Sequence, residues 1–313
     1  MNLAHIAFLF PGQGSQIVGM GRDLANAFTE AREVFTEADD YLGFPISRMS
    51  WEGPESELND TLNTQPALMV HSVAALRVCQ SLLSRSMPAF TAGHSMGELS
   101  ALVAANVFPF TDGLRLARRR GEVMKMAGEM APGGMAAILG LDIPVLERVC
   151  ADASTPGEIV QVANDNCPGQ VVISGARSAL ERALVGAREA GARRALPLAV
   201  SIAAHSPLMV PAQQGFNQAV DSLTMSEPVY PIIGNVSAAP LVSIDEIRSD
   251  LRAQLTSRVR WTETIQYLIS QGVTTFVEIG SGSVLTGLLK RINPEVSGLT
   301  LGAPSDFDHL FKQ

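Results

Sequence analysis

Ser95 has the sequence surroundings of a catalytic nucleophile. It is the central residue of a Gly-x-Ser-x-Gly pattern formed with Gly93 and Gly97, and a good helix-forming sequence follows directly. In a nucleophile elbow, such a serine occupies a sharp strand-to-helix turn, where its hydroxyl is exposed beside backbone N–H groups that can hold an oxyanion. An ordinary strand-to-helix turn also uses glycine and serine, so the pattern by itself indicates either structure.

A serine nucleophile needs a base, and histidine is the usual one. His205 is the best placed of the five histidines, because it lies in a loop-like segment, 201–207, from which a side chain can reach a cleft. A surface loop histidine is the alternative interpretation. The others are less suitable by position: His94, adjacent to Ser95 and directed away from it; His71, in a helical pattern; His5, in the first strand; and His309, in the C-terminal tail.

Arg120 is predicted on the apolar side of an arginine-rich helix. Helical spacing places it beside Leu116, Ala117, Val123 and Met124, while Arg115, Arg118 and Arg119 share another side. A guanidinium in that position needs an anionic partner, because a buried unpaired charge is strongly destabilising. The partner is either a substrate carboxylate, bound in a bidentate way, or an internal Asp or Glu. A solvated basic face is the simpler interpretation of the whole run.

A glycine-containing turn at 10–16 follows the first predicted strand and is expected to begin a helix. Its glycines allow the backbone to approach a ligand, and Gln13 would project from the carboxyl edge of the sheet, where α/β sites lie. A turn without function is the alternative. The glycines at 280–282 follow another predicted strand, but no third glycine completes the G-x-G-x-x-G register, so a dinucleotide site is rejected.

The elements around these motifs predict an α/β fold. Apolar runs at 6–10, 90–92 and 276–279 end in glycine-rich turns and precede helical patterns, which indicates a parallel sheet covered by helices. From about 134 to 200 the pattern changes to strand, helix, strand, strand, helix, strand, the order of a ferredoxin-like unit. Its strands are expected near 135–139, 159–163, 171–174 and 195–198, and its helices near 144–153 and 178–190. Because the α/β pattern then returns, this unit is predicted to be an insertion.

The composition is typical of a compact α/β protein. Of the 313 residues, 46% are hydrophobic and 17% are charged, which excludes a disordered chain. The length allows two domains or one large α/β unit with an insertion. The net charge of −8 argues against nucleic acid as a partner.

The sequence shows no recognisable leader, membrane segment or metal motif. The three cysteines have no C-x-x-C spacing, so neither a disulfide framework nor a zinc site is expected. A reducing compartment is the simplest interpretation. The apolar N-terminus lacks a basic leader and a cleavage site, which favours a buried strand. The longest uncharged run, 195–220, contains Pro197, Pro207 and Pro211, so it cannot cross a bilayer as a regular helix. We therefore expect a cytoplasmic protein.

Taken together, the motifs resemble those of the malonyl-CoA:acyl-carrier-protein transacylases of fatty acid and polyketide synthesis. The resemblance covers nearly the whole chain, in order, and its matching positions are 10–16, 93–98, 164–170, His205, Gln254 and the loop 278–282. It implies an α/β-hydrolase-like domain at 1–130 and 201–313, with a parallel sheet, and an inserted ferredoxin-like subdomain at 131–200.

The resemblance also implies roles for individual residues. Ser95 would accept the acyl group, His205 would be its general base, and Arg120 would pair with the malonyl carboxylate. The remaining roles concern substrate binding. The backbone N–H groups of Gln13 and Met96 would form the oxyanion hole, and the main-chain carbonyl of Gln254 would orient His205. Asn166 would be a further substrate-binding residue. Because no convincing acidic third member is found, a Ser-His dyad is expected. No cofactor or metal is implied, since the CoA thioester and the phosphopantetheine of the carrier protein are substrates.

Specificity and partners are predicted less narrowly. Malonyl-selective members of multidomain synthases often carry Ala-Phe-His and methylmalonyl-selective ones Ala-Ser-His, whereas this chain has Ala-Ala-His ending at His205. The small Ala204 leaves room for a branched extender, but bacterial stand-alone members are also small there, so malonyl is preferred. The partners implied are malonyl-CoA and an acidic acyl carrier protein, and the chain is expected to act as a monomer. A basic patch is expected to bind the carrier protein, and Arg193–Arg194 and Arg258–Arg260 are the candidates.

Other functions share these motifs. A polyketide acyltransferase that uses methylmalonyl-CoA and the malonyl-loading subunit of a malonate decarboxylase would look much the same. A serine thioesterase or hydrolase would share the elbow, but it should have an acid partner for its histidine and should release free malonate. A silent pantetheine-binding module is disfavoured, because the predicted nucleophile, base and arginine are all present.

Overall fold

Two β-sheets organise the fold in a computed structural model that describes residues 5–82 and 88–308. The strands are β1 (Ile6–Phe10), β2 (Phe90–Gly93), β3 (Gly133–Leu139), β4 (Val160–Cys167), β5 (Gln170–Ala176), β6 (Arg194–Pro197), β7 (Ile232–Ile233), β8 (Pro240–Leu241), β9 (Thr275–Ile279) and β10 (Ser297–Leu301).

Helices connect and cover these strands. They are α1 (Arg22–Ala27), α2 (Thr29–Leu42), α3 (Ile46–Glu52), α4 (Glu55–Leu58), α5 (Thr61–Leu82), α6 (Gly97–Ala104), α7 (Phe110–Met130), α8 (Ile143–Ala153), α9 (Arg177–Glu189), α10 (Val210–Asp221), α11 (Ile244–Gln254), α12 (Trp261–Ser270), α13 (Val284–Ile292) and α14 (Pro304–Asp308), with a 3₁₀ turn at Pro207–Met209 before α10. Among the described residues, no helix is long and apolar enough to cross a membrane.

The larger sheet has the strand order β10-β9-β1-β2-β7-β8. Its neighbours pair in parallel except at the edge, where β8 runs antiparallel to β7. Phe10 at the end of β1 lies opposite Gly93 at the end of β2. The carboxyl ends of β1, β2 and β7 therefore meet at one edge, and the segments that follow them form the site described below.

Both faces of this sheet are buried. Along β1, Ile6, Phe8 and Phe10 face the core on one side, while Ala7 and Leu9 face a second core on the other. Continuous apolar runs are typical of parallel strands with helices on both faces. The α/β class predicted from the sequence is confirmed.

The smaller sheet is antiparallel, with the order β4-β5-β3-β6. Its elements follow one another in the predicted order, β3, α8, β4, β5, α9, β6. It has a core of its own, in which Ala136 and Ile173 from the strands pack with Leu146 from α8 and Leu184 from α9. The chain therefore has two distinct hydrophobic centres, one for each type of sheet.

The turn after β1 differs from the sequence prediction. It does not begin a helix, because the first helix starts only at Arg22. Gly14, Gly19 and Gly21 all have left-handed backbone angles, which interrupt helical geometry. A Cβ on Gly12 would lie 2.4 Å from the His94 carbonyl oxygen, so this turn packs directly on the chain beside Ser95.

The predicted positions of three histidines can also be compared with the structure. His71 is buried in α5 and bonds the Gly302 carbonyl through Nε2, at 2.9 Å, as expected of a structural histidine. His5 is exposed and immediately precedes β1, so its prediction as a strand residue is wrong by one position. His309 lies outside the described residues.

Candidate active site

Ser95 lies in a sharp turn between β2 and α6. Its backbone φ is 53°, in the left-handed region that non-glycine residues rarely adopt. The flanking glycines are sterically required: a Cβ on Gly93 would lie 2.0 Å from the Gly97 carbonyl group, and one on Gly97 would lie 2.1 Å from the Phe10 carbonyl oxygen. The turn thus has the geometry of a nucleophile elbow, which exposes a serine hydroxyl at the start of a helix.

Asn235 holds the elbow from the end of β7. Its Oδ1 accepts a hydrogen bond from the Ser95 backbone N–H at 2.7 Å, and its Nδ2 donates to the Gly93 carbonyl at 2.7 Å. The sequence analysis did not single out Asn235. The available signal was its place directly after the short apolar run of β7, since the carboxyl ends of neighbouring parallel strands meet at one edge.

His205 is hydrogen-bonded to Ser95, with 2.8 Å between Nε2 and Oγ. Its other ring nitrogen, Nδ1, lies 2.9 Å from the Gln254 carbonyl oxygen and 3.1 Å from that of Ser257. Carbonyl oxygens only accept hydrogen bonds, so the proton is on Nδ1 and the lone pair of Nε2 faces the serine hydroxyl. The main-chain carbonyl of Gln254 thus occupies the position that the resemblance implied.

The environment of His205 keeps its imidazole neutral. Burial, assisted by the positive charge of Arg120, lowers the pKa of His205 to about 3. The ring is therefore uncharged at neutral pH, and Nε2 is free to accept a proton. Among the described residues, no carboxylate bonds Nδ1, so the third position is filled by backbone carbonyls.

Arg120 in α7 is only 1% exposed and points into the site. Its Nη2 donates to Ser95 Oγ at 3.1 Å, Nε and Nη2 donate to Gln254 Oε1 at 3.0 and 2.8 Å, and Nη1 donates to Gln65 Oε1 at 3.0 Å. These acceptors are all neutral. Within 5–82 and 88–308, Arg120 forms no salt bridge. Of the internal acids considered as its partner, Glu98 acts on Arg120 electrostatically, without a direct hydrogen bond between them.

The charge of Arg120 persists despite its burial. Desolvation lowers the pKa of Arg120 to about 10, which leaves the guanidinium protonated at neutral pH. Its neighbours on the helix behave differently, since Arg115 pairs with Asp112, and Arg118 and Arg119 both pair with Glu122. The helical spacing therefore separated one buried arginine from three at the surface.

A cavity of about 900 Å³ opens over these residues. Ser95, His205 and Arg120 lie in its wall with Gln13, whose side chain donates to Thr61 Oγ1 at 3.1 Å. In the described part of the chain, no hydrogen bond from the backbone N–H of Gln13 or of Met96 is found. Both residues adjoin the serine turn.

The profile of the acyl transferase domain family matches residues 7–299. The chain is also 44% identical over 306 residues to the malonyl CoA-acyl carrier protein transacylase of Bacillus subtilis, covering 98% of this chain and 96% of that protein. The chain belongs to the malonyl-CoA:acyl-carrier-protein transacylase family.

Solved structures of this transacylase family have the same fold. The acyl-carrier-protein-S-malonyltransferase of Bartonella henselae is 44% identical with a TM-score of 0.94, and 98% of each chain is covered. A malonyl-transacylase in complex with its type II polyketide synthase acyl-carrier protein is 42% identical with a TM-score of 0.95, covering 98% of this chain and 99% of that one. The match extends over both sheets.

Asn166 reaches the transacylase cavity from β4. Its Oδ1 bonds His94 Nε2 at 2.8 Å, and both side chains line the cavity. β4 has irregular register on both sides of Asn164 and Asp165, and such bulges commonly redirect side chains beside active sites. His94 is thus held by Asn166, and the direction of its ring away from Ser95 stays a prediction.

The antiparallel sheet of this family member also supports the His205 loop. Gln161 in β4 donates from Nε2 to the His205 carbonyl at 2.8 Å and to the Thr256 carbonyl at 3.2 Å. His205 itself has a left-handed φ of 59°. The sequence analysis missed Gln161, because a partly buried glutamine in a strand carries no motif.

Glu98 is a further residue near the site whose role was missed. It is fully buried in α6 and accepts hydrogen bonds from the Asn235 backbone N–H, at 3.2 Å, and from Gln254 Nε2. Its signal in the sequence was a carboxylate within the otherwise apolar helix that follows the elbow, since an acidic residue is rarely buried without a partner.

The two candidate basic patches differ in the structure. Arg258 pairs with Glu147 and Glu263, and Arg260 also pairs with Glu263. Arg193 and Arg194 are exposed. Acidic neighbours therefore offset the Arg258–Arg260 pair, which weakens it as a docking site for an acidic protein.

Proposed function

We propose that this chain transfers a malonyl group from malonyl-CoA to the phosphopantetheine thiol of an acyl carrier protein, through a malonyl ester on Ser95. The observation that supports it most is Arg120, a buried cation with neutral partners whose Nη2 donates to Ser95 Oγ at 3.1 Å. A malonyl group carries a carboxylate beside its thioester carbonyl, so it can pair with Arg120 while that carbonyl meets Ser95. The activity named for the Bacillus subtilis relative supports the same assignment.

The first half-reaction forms the acyl-enzyme. As Ser95 Oγ attacks the thioester carbon, its proton moves to His205 Nε2, while the backbone N–H groups of Gln13 and Met96 hold the developing oxyanion. Collapse of the tetrahedral intermediate breaks the C–S bond. The proton on Nε2 passes to the CoA sulfur, and CoA leaves as its thiol.

The second half-reaction runs the same steps with a different thiol. The phosphopantetheine thiol gives its proton to His205 Nε2 and attacks the ester carbon of malonyl-Ser95. The C–O bond then breaks, and Ser95 Oγ recovers the proton. One base and one oxyanion hole therefore serve both halves of a ping-pong cycle, and the reaction uses no metal or cofactor.

Substrate binding also adjusts the base. The charge of Arg120 helps to lower the pKa of His205. When the malonyl carboxylate pairs with Arg120, part of that charge is offset, so the pKa of His205 rises toward its ordinary value. The diacid substrate thereby improves the base that its own reaction requires.

Arg120 is the proposed selectivity device. An acetyl group would leave the buried guanidinium without an anion, which costs about 2 to 5 kcal/mol, or roughly 30-fold to several thousandfold in rate. Ala204 lines the cavity beside His205 and leaves space for a substituent on the substrate's second carbon. Malonyl is the proposed substrate, and methylmalonyl is the competitor to be tested.

The finer fold description is part of this proposal. We assign 1–130 and 201–313 to an α/β-hydrolase-like domain and 131–200 to an inserted ferredoxin-like subdomain. Supporting features are the elbow after β2 and the sheet order β4-β5-β3-β6, with two helices on the smaller sheet. Action as a monomer and a cytoplasmic location stay predictions.

Intact-protein mass spectrometry tests the reaction. After brief incubation with malonyl-CoA, the wild-type chain should gain one malonyl group, which Ser95→Ala should not gain. Addition of holo acyl carrier protein should then remove the adduct and malonylate the carrier. Free malonate without an adduct or a malonylated carrier would instead indicate a hydrolase.

Substitution of Arg120 tests selectivity. Arg120→Ala should reduce the preference for malonyl-CoA over acetyl-CoA by roughly 30-fold or more, because the paired carboxylate loses its partner. Arg119→Ala on the same helix is the control, since Arg119 pairs with Glu122 at the surface. Rates of Ser95 acylation by the two donors measure the effect, and an unchanged preference in Arg120→Ala would refute the assignment.

A further inference from the structure

Two buried acidic side chains, Glu98 and Asp250, meet behind the site. Glu98 in α6 is 0% exposed, and Asp250 in α11 is 6% exposed. The two carboxyl groups adjoin the same backbone segment, since Glu98 accepts from the Asn235 N–H and Asp250 from the Val236 N–H, and they interact with each other. The charged groups that face Glu98 are Asp250 and, from α7, Arg120.

The two carboxyl oxygens of Asp250 differ in their hydrogen bonds. Asp250 Oδ1 accepts from the backbone N–H groups of Val236 and Ser237, at 3.3 and 3.4 Å. Asp250 Oδ2 is buried, and no N–H or O–H group of the described residues donates to it. A proton on Glu98, whose carboxyl group interacts with that of Asp250, would supply a donor to a group that lacks one.

Electrostatics leads to the same conclusion. Burial and the adjacent carboxyl group both raise the pKa of Glu98 well above its ordinary value, and burial raises the pKa of Asp250. Two ionised carboxylates in contact inside a protein repel each other strongly, so a single retained proton is the favoured state.

We propose that Glu98 and Asp250 share one proton at neutral pH and act together as positioning residues for Gln254. Gln254 Nε2 donates to Glu98 and to the Ser95 carbonyl, so its Oε1 is directed at Arg120. A flipped amide would instead place an NH₂ group against the guanidinium donors.

The pair acts on both reactive partners of Ser95 through this one residue. The side chain of Gln254 fixes Arg120, and its main-chain carbonyl fixes the ring of His205. The shared proton removes one of the two negative charges behind the site. Arg120 therefore keeps its need for a substrate carboxylate, although an acidic residue lies nearby. This positioning role rests on the proposed function, whereas the sharing of the proton does not.

Infrared spectroscopy at neutral pH tests the shared proton directly. A protonated carboxylic acid has a C=O stretch above the amide I band, so the folded wild-type chain should show one. Asp250→Asn should abolish it, because its amide can donate to an ionised Glu98, and Glu98→Gln should abolish it as well. Glu278→Gln is the control, a buried carboxylate that accepts from the Leu285 and Thr286 backbone N–H groups, and it should leave the band in place.

The same spectra can overturn the proposal. Absence of the band in wild type would mean that both acids are ionised, and a band that persists in Asp250→Asn would mean that the proton is not shared. Absence of the band in wild type needs no variant to be interpreted, so the proposal can be overturned even if a substitution prevents folding.

Kinetics tests the positioning role. Asp250→Ala should lower kcat per acylatable Ser95 by about 10- to 100-fold, since small displacements of reacting groups are costly. Asp250→Asn should recover most of that loss. Normalising kcat to the number of acylatable sites removes the contribution of misfolded protein. A residue with a merely structural role would change the number of sites but not kcat per site.

The kinetic outcomes separate this inference from the proposed function. A wild-type kcat in Asp250→Ala, or no recovery in Asp250→Asn, would overturn the positioning role. If the wild-type chain formed no malonyl adduct, the proposed function would fail, and the infrared band would still decide whether Glu98 and Asp250 share a proton.

Discussion

The elbow at Ser95 and the loop at His205 present the two halves of one reacting pair, but they are held in different ways. Both residues have left-handed backbone angles, with φ of 53° and 59°. The elbow is shaped by close backbone packing around two glycines, Gly93 and Gly97. The loop has no such glycine, and its histidine is held by hydrogen bonds to residues distant in sequence, Gln161, Gln254 and Ser257.

This difference has a physical consequence. Backbone packing at the elbow is a short-range repulsion that leaves no room for a side chain, so a single added carbon should be very damaging. The loop depends on several hydrogen bonds, each of modest net value, so the loss of one should be tolerated in part.

The largest effect is expected from Gly97→Ala. The new Cβ would lie 2.1 Å from the Phe10 carbonyl oxygen, so β1 must shift, at a cost of about 3 kcal/mol or more in the free energy of unfolding. Ser95 acylation should be lost with it. The control is Gly287→Ala in α13, where the added carbon has no atom within 4 Å beyond its chain neighbours and the backbone of its own helix, and which should raise the free energy of unfolding by about 0.5 to 1 kcal/mol.

Urea unfolding measures both variants. If Gly97→Ala unfolded at the wild-type urea concentration and still formed the malonyl ester, backbone packing would not be what shapes the elbow.

A smaller effect is expected from protonation of His205. Its folded pKa is about 3 and its ordinary value 6.5, so the unfolded chain binds more protons below pH 6.5. The stability that this residue contributes is complete above 6.5 and is lost as the pH falls toward the folded pKa. Between pH 7 and 5 the loss should be about 2 kcal/mol.

His205→Asn tests this, because asparagine tolerates the left-handed backbone. Between pH 7 and 5, the free energy of unfolding of His205→Asn should fall by about 2 kcal/mol less than that of wild type. Equal pH dependence in His205→Asn and wild type would show that the imidazole is not buried in a neutral form.

The smallest effect is expected from Gln161→Leu. It removes the donor to the carbonyls of His205 and Thr256, which lie 2.8 and 3.2 Å away, and should cost about 1 kcal/mol in the free energy of unfolding. Acylation of Ser95 should slow while the elbow is undisturbed. Gln218→Leu, at an exposed position of α10, is the control and should acylate at the wild-type rate. Should Gln161→Leu abolish acylation entirely, the loop would be as intolerant of change as the elbow.

Much of the fold could be predicted because its signals are local. The parallel strands are short apolar runs that end in glycine, and the elements of the smaller sheet alternate clearly along 133–197. The prediction of a helix directly after β1 was wrong. In that segment Gly12 packs closely on the chain beside Ser95, and Gly14 and Gly19 have left-handed backbone angles. A turn and a helix start share the same residue types, so sequence did not distinguish them.

The site divides in a similar way. Ser95 and Arg120 could be singled out by spacing alone, one by its glycines and the other by its place on an amphipathic helix. The role of Gln254 came from family resemblance, and those of Asn235, Gln161, Glu98 and Asp250 came from neither. Asn235 contacts Ser95 across 140 positions of sequence, Gln161 contacts His205 across 44, and Gln254 contacts Ser95 across 159, and single polar residues carry no local mark of such contacts.

The sequence by itself therefore determined the α/β class, the elbow and the helix face that carries Arg120, because periodicity and glycine sterics act over a few residues. The tertiary structure alone decided that the side-chain hydrogen-bond acceptors of Arg120 are neutral, that the Ser257 carbonyl joins that of Gln254 at His205 Nδ1, and that Glu98 and Asp250 lie next to each other. The physical reason is that burial and long-range hydrogen bonds set the charge state of a group, and these exist only once distant parts of the chain are packed together.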